Sequence, residues 1–155
     1  MKSPIICLFI LLMLVIPACA LFESTSLDQY IARYNSNMDK APTVLKTLIG
    51  SEKVELDIAM NNGSQFKVGM ETNNAIVVRT VKGGIQDPTI QIQTREDVMQ
   101  TISQASDPIT AFQQAKEAGN ITIKGNNVLS NLKVNAALSS MDLLKFFYGV
   151  LFGQG

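Results

Sequence analysis

The chain has 155 residues, 46% of them hydrophobic and 17% charged, with 13 basic and 13 acidic side chains. That length suits one domain around one core, and a net charge of zero with no Lys/Arg cluster argues against binding a nucleic-acid backbone. There is no histidine, which removes His-based acid–base chemistry, Ser-His and Cys-His nucleophile pairs and the commonest transition-metal sites.

Residues 1–20 have the plan of a targeting leader: Met1-Lys2, an apolar run over 5–16, Pro17, then Ala18-Cys19-Ala20. Cleavage after Ala20 fits a secretory signal peptide. Ile16-Pro17-Ala18-Cys19 also resembles a lipobox, which would place a lipid anchor on Cys19. A retained anchor helix is the third reading. Each implies export, with the chain secreted or held at the outer face of the cell membrane. Cys7 and Cys19 are the two cysteines, so a chain cut after Ala20 forms no disulfide and no thiolate metal site.

Residues 21–50 form an N-terminal helical segment. Leu27, Tyr30, Ile31 and Tyr34 recur with helical spacing, and Pro42 sits near the start of a shorter helix stopped by Gly50. The domain proper covers 51–155. Val54, Leu56, Ile58 and Met60 alternate with polar residues. Asn62-Gly63 then marks a hairpin, followed by a second alternating run, Phe66, Val68 and Met70. Ala75 to Val78 reads as a strand covered on both sides, and residues 89–93 as a fourth strand completing an antiparallel meander. Thr94, with Asp97 three residues on, reads as the N-cap of a helix. Asp107-Pro108 opens another helix, which Gly119 stops. Ile121 and Ile123 form a short fifth strand ended by Gly125, and the chain is mostly helical from Val128 to Phe152.

No P-loop, dinucleotide glycine pattern, nucleophile elbow or EF-hand spacing occurs. Glu96-Asp97, the one adjacent acid pair after the leader, reads as helix N-terminal charge. The chain is therefore expected to be no enzyme and to need no cofactor or metal. Asn62-Gly63-Ser64 and Asn120-Ile121-Thr122 match the N-glycosylation triplet, which is common by chance; Asn62-Gly63 is better explained as a turn, and neither triplet is taken as a sign of modification. Met60 and Met70, with Phe66, Phe112, Phe146 and Phe147, either fill a core or line a cavity that adapts to hydrocarbon.

Asp107-Pro108-Ile109-Thr110-Ala111-Phe112 and Asn120-Ile121-Thr122-Ile123-Lys124-Gly125 follow the strands in an order that resembles the sterol carrier protein two family of lipid-transfer domains. The resemblance implies an α+β fold, a five-stranded mostly antiparallel sheet with helices packed on one face around an apolar tunnel. Phe66, Val68, Met70, Ile76, Val78 and Ile92 would then line the tunnel from the strands. Phe112 and Ile123 match motif positions facing it, and Leu144 and Phe147 sit on a closing helix as its lid. The implied function is non-catalytic binding or transfer of a fatty acyl, sterol or isoprenoid lipid. The alternative is a surface or envelope interaction protein with a packed interior. The C-terminal helix either completes the core or dips Phe146, Phe147, Leu151 and Phe152 into a membrane surface.

Overall fold

The computed structural model describes residues 24–137, 139–143, 145 and 146. Cys19, Leu144, Phe147, Leu151 and Phe152 lie outside them.

Alternating apolar and polar residues build the sheet. Strand β1 (Lys53–Ala59) pairs antiparallel with β2 (Gln65–Asn73), setting Val54, Leu56 and Ile58 opposite Met70, Val68 and Phe66. The hairpin that Asn-Gly signals is present, closed by a three-residue loop over 61–63. Gly63 takes φ +82°, and the Met60 N–H donates to the Ser64 carbonyl at 2.9 Å. Strand β3 (Ile76–Lys82) pairs antiparallel with β2 through a turn at Asn74 and Ala75, both left-handed at φ +50° and +64°.

Strand β4 (Ile90–Arg95) departs from the expected antiparallel meander. It pairs in parallel with β1, and β5 (Thr122–Gly125) pairs antiparallel with β4, giving the order β3-β2-β1-β4-β5. A strap of residues 83–89 carries the chain from one sheet edge past β2 and β1. Gly69 of β2 admits it: a Cβ there would overlap Ile85 Cβ and come within 2.9 Å of Ile85 N. The buried Glu55 of β1 pins the strap by accepting the Ile85 N–H at 3.3 Å, while Lys67 Nζ stands 3.1 Å from its other oxygen. Glu55 and Gly69 share the polar face of the sheet, so the strap crosses opposite the helices.

The helices are α1 (Ser24–Ser36), α2 (Thr43–Leu48), α3 (Glu96–Ser103), α4 (Pro108–Glu117) and α5 (Val128–Ala137). Their apolar stripes close over the inward sheet face in one core that joins Leu27 and Tyr34, Leu45, Val98 and Ile102, Phe112 and Val134 to Leu56, Ile58 and Met70. Asp107 caps α4 as its sequence predicts: its carboxylate accepts the Thr110 N–H at 3.1 Å and the Thr110 hydroxyl at 2.6 Å. Thr94 does not cap α3. Strand β4 runs on through Arg95, which takes the N-cap position without a side-chain bond, and the Thr94 hydroxyl donates to the Asn120 carbonyl at 3.3 Å.

Strand β3 is not covered on both sides. Its pairing with β2 slips by one residue between Glu71 and Thr72, so Val78 is the extra residue of a bulge. Val77 therefore points inward at 5% exposure, while Ile76 and Val78 are 39% and 59% exposed.

Candidate functional site

Helix α1 is fastened to the sheet at its C-terminal end. The Tyr34 hydroxyl donates to the Ala75 carbonyl at 2.7 Å, and the Asn35 amide exchanges two bonds with the Val77 backbone at 2.8 and 2.9 Å. Burial pushes the Tyr34 phenol well above its ordinary pKa, so it stays a hydrogen-bond donor. Back from this anchor, a helix covers about 1.5 Å per residue and a strand about 3.3 Å. The helical path from Asn35 to Leu27 thus spans roughly 12 Å, which brings Leu27 and Asp28 beside the far half of β3, near Thr80 and Lys82.

At that end lies a groove of about 590 Å³, lined by Leu27 and Asp28 of α1, residues 65–68 of β2, Thr80 and Lys82 of β3, and Gly83. Its size falls within the range of small-molecule sites, about 300–1,000 Å³. Leu27 and Val68 are buried and Phe66 is half-buried against the core. Asp28, Gln65, Thr80 and Lys82 are exposed. Lys82 has no ion-pair partner among the described residues, and Lys67 is engaged by Glu55. The site combines the apolar Leu27, Phe66 and Val68 with an uncommitted cation, the Asp28 carboxylate, the Gln65 amide and the Thr80 hydroxyl. Such a surface offers apolar contact beside polar groups and charges of both signs. Among the described residues no group of three or more acids or cysteines could hold a metal ion.

The residues expected to line a lipid site are distributed unevenly. Phe66 and Val68 meet in the groove. Met70, Ile92 and Phe112 are at most 1% exposed and belong to the core, with Ile123 packed partly buried against it. Ile76 and Val78 face solvent, as the bulge dictates. The groove also recruits Leu27, Thr80 and Lys82. Leu27 carries a signal, its place on the α1 stripe. The two β3 residues carry none, because nothing local in β3 says that α1, distant in sequence, packs beside it.

A second surface feature lies over the opposite sheet edge, where α5 packs on β5. Gly125 permits that approach, since a Cβ there would overlap Asn131 N and Ser130 C. Ser130 and Val134 turn inward, and Lys133 Nζ reaches the buried Glu52 carboxylate at 2.6 Å. Outward, Val128, Leu129 and Leu132 are 78%, 63% and 61% exposed, and Met141 is 57% exposed, beside the exposed Asn131 and Asn135. No acidic residue occurs between Ala118 and Met141. Phe146, a candidate for membrane insertion, is instead packed partly buried against the core.

No family model matches the sequence, and no curated protein matches it significantly. Among solved structures the chain is similar to sterol carrier protein 2 of Yarrowia lipolytica in its apo form. Identity is 16% and the TM-score 0.47, over 70% of this chain and 92% of that one. It is similar to the sterol carrier protein domain 2 of Helicoverpa armigera at 19% identity and TM-score 0.47, over 78% and 87%. A Thermus thermophilus protein described as possibly a sterol carrier protein aligns at 12% identity and TM-score 0.49, over 83% and 88%. At these values the likeness concerns backbone arrangement, and no ligand of this chain follows from it.

Proposed function

We propose that this chain binds or transfers an apolar lipid of the fatty acyl, sterol or isoprenoid type outside the cytoplasm, without catalysis. The observation that carries the reading is the groove between α1 and the β2–β3 ladder, with Leu27, Phe66 and Val68 inside and Lys82 at its rim. Each methylene removed from water contributes about 0.8 kcal/mol. A chain of a dozen methylenes gives about 10 kcal/mol, enough to offset a mid-range association cost of about 4–15 kcal/mol. Lys82 suits a carboxylate or phosphate head. The leader supports export, by cleavage after Ala20 or by anchoring at Cys19. The outward apolar residues of α5 support contact with a membrane surface as the place of lipid exchange.

A second reading is favoured by Met70, Ile92 and Phe112, which are at most 1% exposed. It makes the chain a surface interaction module whose interior holds only its own side chains. The two readings separate on Thr80→Trp. Thr80 is an exposed groove residue, and Trp suits a strand, so the ring fills the groove without entering the core. The full chain, purified without detergent, is expected to carry extractable lipid and to take up a fluorescent fatty acid. Thr80→Trp should lose that uptake with Tm unchanged. A lipid-free chain that takes up neither fatty acid nor sterol probe would refute the carrier reading and leave the interaction module.

A further inference from the structure

We propose that Asn62 is the N-glycosylation acceptor of this chain and that Asn120 is not, an inference that rests on the export reading. Both head an Asn-X-Ser/Thr triplet, but the fold treats the two differently. Asn62, Gly63 and Ser64 form the exposed turn between β1 and β2. The Asn62 side-chain oxygen accepts the Ser64 N–H at 2.9 Å and the Ser64 hydroxyl at 2.6 Å. A backbone N–H can only donate, which fixes the amide with Oδ1 toward Ser64 and Nδ2 outward. That Nδ2 donates to no group among the described residues. The hydroxyl polarises the amide carbonyl, and the nitrogen to be modified stands in solvent.

The second triplet is sewn into the fold. Its middle residue, Ile121, is 2% exposed in the core. The Asn120 carbonyl holds the Thr94 hydroxyl, the Asn120 N–H donates to Ala115 at 2.9 Å, and Thr122 is paired with Gln93 in the sheet. A transferase needing an accessible triplet would have to unpick β5 to reach it.

The reaction requires a lipid-linked sugar phosphate as donor. Nδ2 forms a bond to the anomeric carbon and gives up one proton to a base of the transferase. The bond from that carbon to the phosphate oxygen breaks, and the lipid phosphate leaves.

The test expresses the full chain with its own leader in a host that N-glycosylates exported proteins. Peptide masses are read after enzymatic deglycosylation in heavy-oxygen water, which marks each formerly modified Asn, against a sample without the enzyme, since Asn62-Gly63 also takes up the label by spontaneous deamidation. The expected result is marking at Asn62, lost in Asn62→Gln and Ser64→Ala, kept in Ser64→Thr and kept in Asn120→Gln. An exported chain with unmarked Asn62, or one marked at Asn120 alone, would overturn the assignment. Retention in the cytosol with the leader intact would instead overturn the export reading. The same full chain behind a host leader then decides Asn62 separately, by the same marking.

Discussion

Replacing Gly125 by Ala tests the closest approach in the fold. The added methyl would overlap Asn131 N and Ser130 C and lie 2.8 Å from Ser130 Cβ. Carbon contacts settle at about 3.5–4.0 Å, so α5 must back away from β5 by roughly 1 Å to admit it. Overpacking of this kind costs about 1–3 kcal/mol. Two of the overlapped atoms belong to the main chain and have no rotamer to escape into. The move also stretches the bond from the Gly125 N–H to Asn131 Oδ1, now 2.9 Å, a loss of about 1 kcal/mol. We therefore expect a loss of about 3 kcal/mol, at the upper end of that overpacking range. Urea unfolding followed by circular dichroism reads it directly. With a slope of about 2 kcal/mol/M the midpoint falls by about 1.5 M at unchanged slope. Gly119→Ala is the comparison. Gly119 has φ +75° and no atom within 4 Å of its Cβ position, so only backbone strain is charged there, about 1 kcal/mol. If Gly125→Ala is no more destabilising than Gly119→Ala, the close packing of α5 on β5 is refuted.

Tyr34→Phe removes the donor from the buried Ala75 carbonyl and should cost about 2 kcal/mol, lowering Tm by about 4–8 °C. Asp107 should titrate by NMR below the ordinary aspartate value of about 3.9, because the Thr110 hydroxyl, and then its backbone N–H, favour the carboxylate. A depressed folded-state pKa means the cap's contribution is complete above the unfolded value and drains away as pH falls through the folded one. The stability gap between the native chain and Asp107→Ala should accordingly narrow below about pH 3.9. Changing both Leu129 and Leu132 to Ser, two exposed positions, should leave Tm within about 1–2 °C. Sedimentation with anionic vesicles should weaken at least about tenfold, since two buried leucines are worth more than about 1.4 kcal/mol. Unchanged sedimentation would remove α5 from membrane contact.

What was legible in the sequence is what local chemistry decides. Asn62-Gly63 signals a hairpin and Asp107-Pro108 a helix start, and the structure has both, the hairpin with Gly63 alone left-handed. The alternation in β1 and β2 likewise set which residues face the core. Two failures share one cause, the absence of a local marker. Ala75-Ile76-Val77-Val78 is apolar at every position, so nothing in it says which residue turns inward, and the bulge that decides belongs to the pairing with β2. The partner of β4 is equally invisible, because its alternation suits an antiparallel or a parallel neighbour. Thr94 failed for another reason: a hydroxyl three residues before an acid fits a cap, but a longer strand outbid it with a bond to Asn120. Of the site, Phe66 and Val68 were readable from alternation. The groove itself was not, since it forms between α1 and the β2–β3 ladder, elements far apart in sequence.

The strap over Gly69 also imposes an order of assembly. The hairpins β1–β2 and β2–β3 join residues close in sequence and form without waiting for anything else. Strand β4 reaches β1 only across 36 residues, as in the bond between Lys53 and Thr89, and only over a face that β2 has already provided. The loop entropy of that closure is recovered late. Destabilising changes at Leu56 or Val68 should therefore slow folding. Equivalent changes at Ile92 should chiefly speed unfolding, leaving β4 and everything after it as the half of the molecule that arrives last and departs first.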